Sequence, residues 1–210
     1  MPIVLPIDRL RGLTSLFNEL GFKIGVEIGT SKGMYAKWLL HKVKDLKLYC
    51  VDPWKVYDAC VEMHEKEGQK VWDGFYEETK KRLEGMNVEI IRKFSMDGVK
   101  DFVDNSLDFV YLDGNHTFEF VINDIAEWSK KVRPGGIISG HDFWNSIDRK
   151  KLYKIGLRRE EPTDPIERMK LCQVEDAVKA WTHTNRIKPW FITLENNQSS
   201  GGASWFWIKQ

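Results

Sequence analysis

Apolar positions at three- and four-residue steps open the chain, with Ile7, Leu10, Leu13, Leu16, Phe17 and Leu20 on one face of an amphipathic helix that Gly21 stops. The pattern then shortens. Ile24 to Ile28 is an apolar run of strand length, followed by a glycine-bearing turn and a helical face of Tyr35, Trp38, Leu39 and Val43. Further strand-like runs, rich in β-branched and aromatic residues, fall at 46–51, 88–91, 107–112 and 136–139. Helical patterns separate them. In the clearest, over 119–132, Phe120, Ile122, Ile125, Trp128 and Val132 recur on one side until Pro134-Gly135-Gly136 breaks the periodicity. Strands alternating with helices predict an α/β fold, a doubly wound parallel sheet covered on both faces.

The tail leaves this alternation. Runs at 189–194 and 203–208 are joined by a polar connection too short for a parallel crossover, which predicts an antiparallel C-terminal hairpin. Two stretches stand outside the framework: 55–85, charged and helical in pattern, and 143–172, with Arg149, Lys150, Lys151, Lys154, Arg158 and Arg159. Both are expected to be substrate-side insertions in a single domain of residues 1–210, which opens with the helix of residues 1–20.

Composition narrows the partners. With 42% hydrophobic and 30% charged residues the chain is globular, and a formal net charge of +1 offers no field for a polyanion, so no nucleic-acid partner is expected. No apolar run of about 18 residues suggests a membrane span. Cys50, Cys60 and Cys172 form no CxxC pair, and an odd count without that spacing points to reduced thiols and a cytoplasmic protein.

The candidate chemistry lies at the strand ends. Val26-Glu27-Ile28-Gly29-Thr30-Ser31-Lys32-Gly33 closes the first run of the alternation at a strand-to-helix turn, where glycines permit close approach and a helix start offers free N–H groups. Asp52 ends the next strand, at the spacing from Gly33 expected of a carboxylate that grips ribose hydroxyls. The pair reads as a nucleoside site; the bland alternative is a tight turn with a capping aspartate. A dinucleotide loop would carry glycine where Glu27 stands, and a carboxylate there repels pyrophosphate. It suits a nucleoside with a cationic tail, S-adenosylmethionine.

With these residues in place the chain resembles the class I S-adenosylmethionine-dependent methyltransferases, in particular the small-molecule O-methyltransferase branch with D-G-x-H after the fourth strand. The resemblance runs over about residues 20–210 and rests on 26–33, Asp52, 108–116 (DFVYLDGNH), 134–142 (PGGIISGHD) and the terminal hairpin. It implies a Rossmann-like, seven-stranded sheet whose last strand is antiparallel. It also implies that Gly29, Thr30, Ser31 and Gly33 line the methionine and ribose, that Glu27 steers the amine and that Asp52 binds the diol. Trp54 would pack on the adenosine or simply in the core. Ser95 and Met96 would reach adenine, unless Ser95 only caps the helix at Asp97.

Asp113, at the end of the fourth strand of the alternation, is the leading catalytic candidate and a cofactor neighbour. His116 would take the proton from an acceptor hydroxyl, or else hydrogen-bond the cofactor or the Asp113 loop. Metal-binding branches use the aspartate after strand four and two acidic or amide groups after strand five. Asp113 and Asp142 match, while His141 stands where a carboxylate is usual. Oxygen donors favour magnesium, and an imidazole among them favours manganese, iron or zinc. The expected activity is methyl transfer from S-adenosylmethionine to a hydroxyl of a small-molecule acceptor. Its rivals are a non-catalytic nucleoside-binding module and an NAD-dependent oxidoreductase.

Overall fold

Alternation along each strand decides the architecture. In Leu107–Leu112, Val110 and Leu112 join one apolar cluster while Phe109 and Tyr111 join another, and Ile138 and Ile137 divide in the same way. Side chains of a strand point to opposite faces in turn, so the two clusters are the two faces of one sheet. The computed structural model describes residues 1–57, 68–143, 172–193 and 203–210. Its strands are β1 (Ile3–Leu5), β2 (Ile24–Ile28), β3 (Lys47–Val51), β4 (Val88–Ile91), β5 (Leu107–Leu112), β6 (Val132–Gly140), β7 (Phe191–Thr193) and β8 (Trp205–Ile208). They are ordered β1-β7-β8-β6-β5-β2-β3-β4, and every pairing is parallel except the two made by β8.

Helices cover both faces. The face of Val26, Val110 and Ile138 packs against α5 (Phe118–Lys131) and α6 (Val174–Thr184), through Val121, Ile125, Trp128, Ala177 and Val178. The other face meets α1 (Thr14–Glu19) and α2 (Met34–Lys42), through Leu13, Phe17, Tyr35, Ala36 and Leu39. Phe17 and Phe109 stack there with ring centroids 4.3 Å apart. α3 (Gln69–Arg82) and the short α4 (Ser95–Gly98) complete the described α-helices, with a 3-10 turn over Val99–Asp101 following α4.

Three expectations change. The sheet has eight strands among the described residues rather than seven, because Ile3–Leu5 pairs with β7. The N-terminal helix therefore begins only at Arg9, first as a π-helical turn over Arg9–Leu13 that Asp8 caps by accepting from the Arg11 N–H at 2.7 Å. The helix read to Val132 ends at Lys131, and β6 starts at Val132 rather than at Gly136. The strand bulges at the Pro-Gly-Gly motif, where Gly135 has φ 79° and a side chain at Gly136 would overlap the Asp108 carbonyl. The antiparallel hairpin is present as expected, with β8 lying between β6 and β7.

Of the two unplaced segments, the second half of 55–85 contains α3, which braces the framework: the Thr79 hydroxyl donates to the Ser31 carbonyl at 2.7 Å. Residues 58–67 and 144–171, including the basic cluster, lie outside the described residues, as do 194–202 in the hairpin loop. No helix of the described residues is long and apolar enough to cross a membrane. The chain runs from β2 outward through β3 and from β5 outward through β6, so β2 and β5 flank the switch point at whose carboxyl ends open α/β sheets bind ligands.

Candidate active site

The loop after β2 is held by Asp52. Its Oδ2 accepts from the Ser31 N–H at 2.9 Å and its Oδ1 from the Trp54 N–H at 2.7 Å. The Trp54 indole, fully buried, donates to the Ser31 carbonyl at 2.7 Å and packs on Tyr76 at 5.0 Å between ring centroids. Ser31, Trp54 and Asp142 all have left-handed backbones, at φ 51, 41 and 50°. Such conformations are costly outside glycine and gather where a site is over-determined by its surroundings. Gly29, at φ 84°, is required for a further reason: a side chain there would overlap the Asp113 carbonyl. The glycine thus admits the neighbouring loop, not only a ligand. Gly33, at φ 71°, faces the Thr79 methyl.

Glu27 is buried between these loops at the end of β2. Burial raises its carboxyl to about 8, with Thr30 opposing and the charges of Asp113 and Asp52 adding to the rise. Burial therefore favours the protonated form of Glu27 at neutral pH. An arriving cation would favour its ionised form.

The second half of the site is built on β5 and β6. The Asp113 N–H donates to the Ile28 carbonyl at 2.8 Å and the His141 N–H to the Leu112 carbonyl at 3.0 Å, so the three strand ends are tied in register. Side chains converge as a result. His116 Nε2 lies 3.5 Å from Asp113 Oδ1 and 3.4 Å from Asp142 Oδ2, while His141 Nδ1 lies 3.7 and 3.3 Å from the same two carboxylates. One ligand atom from each of Asp113, His141 and Asp142 falls within 4.8 Å of the others. The backbone anchors are distant in sequence: the Gln173 N–H donates to the His116 carbonyl at 2.8 Å, and the Trp205 indole to the His141 carbonyl at 3.2 Å.

Ser95 and Met96 sit at the start of α4, beside the Asp113 loop. Ser95 donates to the buried Asp124 of α5 and accepts from the Trp128 indole at 2.8 Å, so its hydroxyl is oriented by α5 rather than capping α4. Met96 packs on the apolar cluster. Burial raises the Asp124 carboxyl to about 7, and the Ser95 bond lowers it in part.

Two contributors escape a motif reading. Asp124 looks in sequence like a polar position of an amphipathic helix. Arg9 looks like a solvated residue of the N-terminal helix, yet its Nη1 lies 3.8 Å from Asp113 Oδ2 and its guanidinium 5.2 Å from the centroid of Tyr35. No periodic signal marks it, because the apolar run Ile3–Leu5 that anchors the segment to β7 is too short to show one.

A glycine loop, an acid at the next strand end and a polar cluster across the switch point define a Rossmann-like, class I methyltransferase. The chain belongs to the methyltransferase-domain family, whose model matches residues 26–143. It is also 30% identical over 122 residues to the uncharacterized protein R132 of Acanthamoeba polyphaga mimivirus, a match covering 56% of this chain. The chain spans about half, 50%, of that relative's length. Among solved structures, the fold is similar to the O-methyltransferase TomG of Streptomyces achromogenes, involved in tomaymycin synthesis and solved with S-adenosylmethionine. The TM-score is 0.59 at 16% identity, over 94% of this chain and 78% of that one. An O-methyltransferase of Bacillus cereus, solved with S-adenosylhomocysteine, gives 0.61 at 16% identity, over 96% and 80%.

Proposed function

We propose that the chain transfers the methyl of S-adenosylmethionine to a hydroxyl of a small-molecule acceptor, acting as one domain with 55–85 and 143–172 on the acceptor side. The observation that carries this reading is the convergence of Asp113, His116, His141 and Asp142 at the switch point, across from a loop built around Glu27 and Asp52. The two structural neighbours, which carry S-adenosylmethionine and its demethylated product, support the cofactor.

The cofactor fits the residues present: Glu27 matches its ammonium group and Asp52 its ribose diol. When bound, it supplies an electrophilic methyl on a sulfonium centre. Asp52, whose two oxygens accept from the Ser31 and Trp54 N–H groups, would also accept from the diol. Ser95, donating to Asp124 and accepting from Trp128, keeps an acceptor lone pair for an adenine amine. Gly29, Thr30, Ser31 and Gly33 hold the loop that Trp54 and α3 brace from behind, with Met96 packed below. His116 Nε2 takes the acceptor proton, and the flanking carboxylates of Asp113 and Asp142 favour the imidazolium that results. The remaining work is orientation.

The donor set of Asp113, His141 and Asp142 fits a divalent cation. Two carboxylates and one imidazole would hold manganese more readily than magnesium, and such an ion would supply Lewis acidity toward the acceptor oxygen.

Calorimetric titration with S-adenosylmethionine, S-adenosylhomocysteine and NAD tests the cofactor. Binding of the first two is expected; binding of NAD alone would replace this reading with an oxidoreductase. Product formation from hydroxylated acceptors, before and after EDTA treatment and restoration of manganese, tests the rest. Cofactor binding without turnover on any acceptor would favour a sensing module.

A further inference from the structure

Arg9 has more hydrogen-bonding capacity than its surroundings use. The guanidinium carries five N–H donors in a planar fork, suited to pair with a carboxylate. Its ion pair with Asp113 Oδ2, at 3.8 Å, is beyond hydrogen-bond reach, the Tyr111 hydroxyl accepts only one of its N–H groups, and its buried Nε has no hydrogen-bond partner among the described residues. Four-fifths of the side chain is covered, with 20% left open beside Asp113. Most buried polar groups are satisfied, so a largely covered guanidinium with spare donors at a site mouth points to a ligand.

The position is fixed rather than incidental. Asp8 caps the turn that carries Arg9, β1 pairs with β7 on one side, and Leu13 and Phe17 are buried on the other. The Trp38 indole donates to the Leu10 carbonyl at 2.5 Å, one residue away. Asp113 is divided: Oδ2 faces Arg9, whereas Oδ1 faces His116 and His141. A molecule placed against the cluster with its hydroxyl therefore has a cation to one side of that hydroxyl.

Resting on the methyltransferase reading, we propose that Arg9 is an acceptor-binding residue that selects a hydroxy acid, its guanidinium pairing with the acceptor carboxylate while the hydroxyl lies at the Asp113–His116 cluster. The Arg9 guanidinium, beside Asp113, offsets the repulsion between the acceptor carboxylate and the acidic side chains of the cluster. Arg9 so turned would orient the hydroxyl for transfer.

The test uses the EDTA-treated 210-residue chain saturated with S-adenosylhomocysteine. Binding of 3,4-dihydroxybenzoate is compared with that of the neutral 3,4-dihydroxybenzyl alcohol in wild type, Arg9→Lys and Arg9→Met. Wild type is expected to prefer the carboxylate at least tenfold. Arg9→Lys should retain part of that preference, and Arg9→Met should lose it, with S-adenosylhomocysteine affinity and melting temperature preserved in Arg9→Lys. Equal binding of the two probes by wild type, no binding of the benzoate, or an undiminished preference in both variants would overturn the proposal. Failure of wild type to bind S-adenosylhomocysteine would instead overturn the methyltransferase reading on which it rests.

Discussion

Gly29 and Glu27 show how much of the site is decided by single atoms. Any side chain at Gly29 would overlap the Asp113 carbonyl, and the left-handed backbone alone costs roughly 1–2 kcal/mol for other residues. Gly29→Ala should therefore lower stability by more than that in urea unfolding and weaken S-adenosylhomocysteine binding, because the loops after β2 and β5 must part. A variant with wild-type stability and affinity would show that the loops have room. At Glu27 the folded carboxyl, near 8, lies above its ordinary value of 4.5, so the folded state holds the proton more tightly than the unfolded chain. That contribution is complete below about 4.5 and is lost as pH rises through 8. Stability should fall between those values, and Glu27→Gln should remove on the order of a few kcal/mol of the decline. A residual slope would remain from Asp124, raised to about 7. Unfolding curves from pH 5 to 9 decide this; identical slopes in the two proteins would rule out a buried protonated Glu27. Asp52→Ala has two consequences, weaker cofactor binding and a loosened loop, since the carboxylate also accepts from Ser31 and Trp54. It should weaken binding by roughly 1.5–3 kcal/mol, read by calorimetry, with some loss of melting temperature. Unchanged affinity would remove Asp52 from the ribose.

Among the elements, β8 carries the most for its length. Its Trp205, Phe206 and Trp207 are all buried, and it hydrogen-bonds β6 on one side and β7 on the other. Ser204 adds a buried bond to the Tyr111 hydroxyl at 2.9 Å, and the Trp205 indole holds the His141 carbonyl. Removing residues 196–210 would detach β7 and β1 from the sheet and leave the edge of β6 open to other chains. The truncated protein is expected to be insoluble; a soluble product that melts cooperatively would overturn this account. The strands were legible in the sequence because their alternation or apolar runs are local signals, and β2 and β5 fall where the pattern put them. The place of β8 was not. A hairpin's antiparallel pairing follows from a short connection, but which partner its second strand takes depends on the open edge of β6. Strand β1 was missed altogether, since a three-residue run flanked by Pro2 and Pro6 has no period to read.

For the whole molecule, the N-terminal segment links one edge of the sheet to the site and one apolar face. Leu13 and Phe17 are both fully buried, so deleting residues 1–20 would expose the face that α1 covers. Burying one such side chain contributes about 1.5–3 kcal/mol, and the deletion should lower the melting temperature markedly while also removing Arg9 from Asp113. A deletion variant as stable as the full chain would show that the segment is an appendage. What the sequence determined by itself is whatever depends on neighbours along the chain: the alternation of strand and helix, the glycine turn after β2, the acid at the end of β3, and the D-G-x-H and G-H-D runs at strand ends. What only the tertiary structure decided depends on residues far apart in sequence meeting in space. Arg9 faces Asp113 across more than a hundred residues, Asp124 turns the Ser95 hydroxyl, and Glu27 loses its charge to burial. Local periodicity reports which face of an element is apolar, but the chemistry of a site is set by distance and dielectric, and those exist only once the sheet has closed its strand ends together.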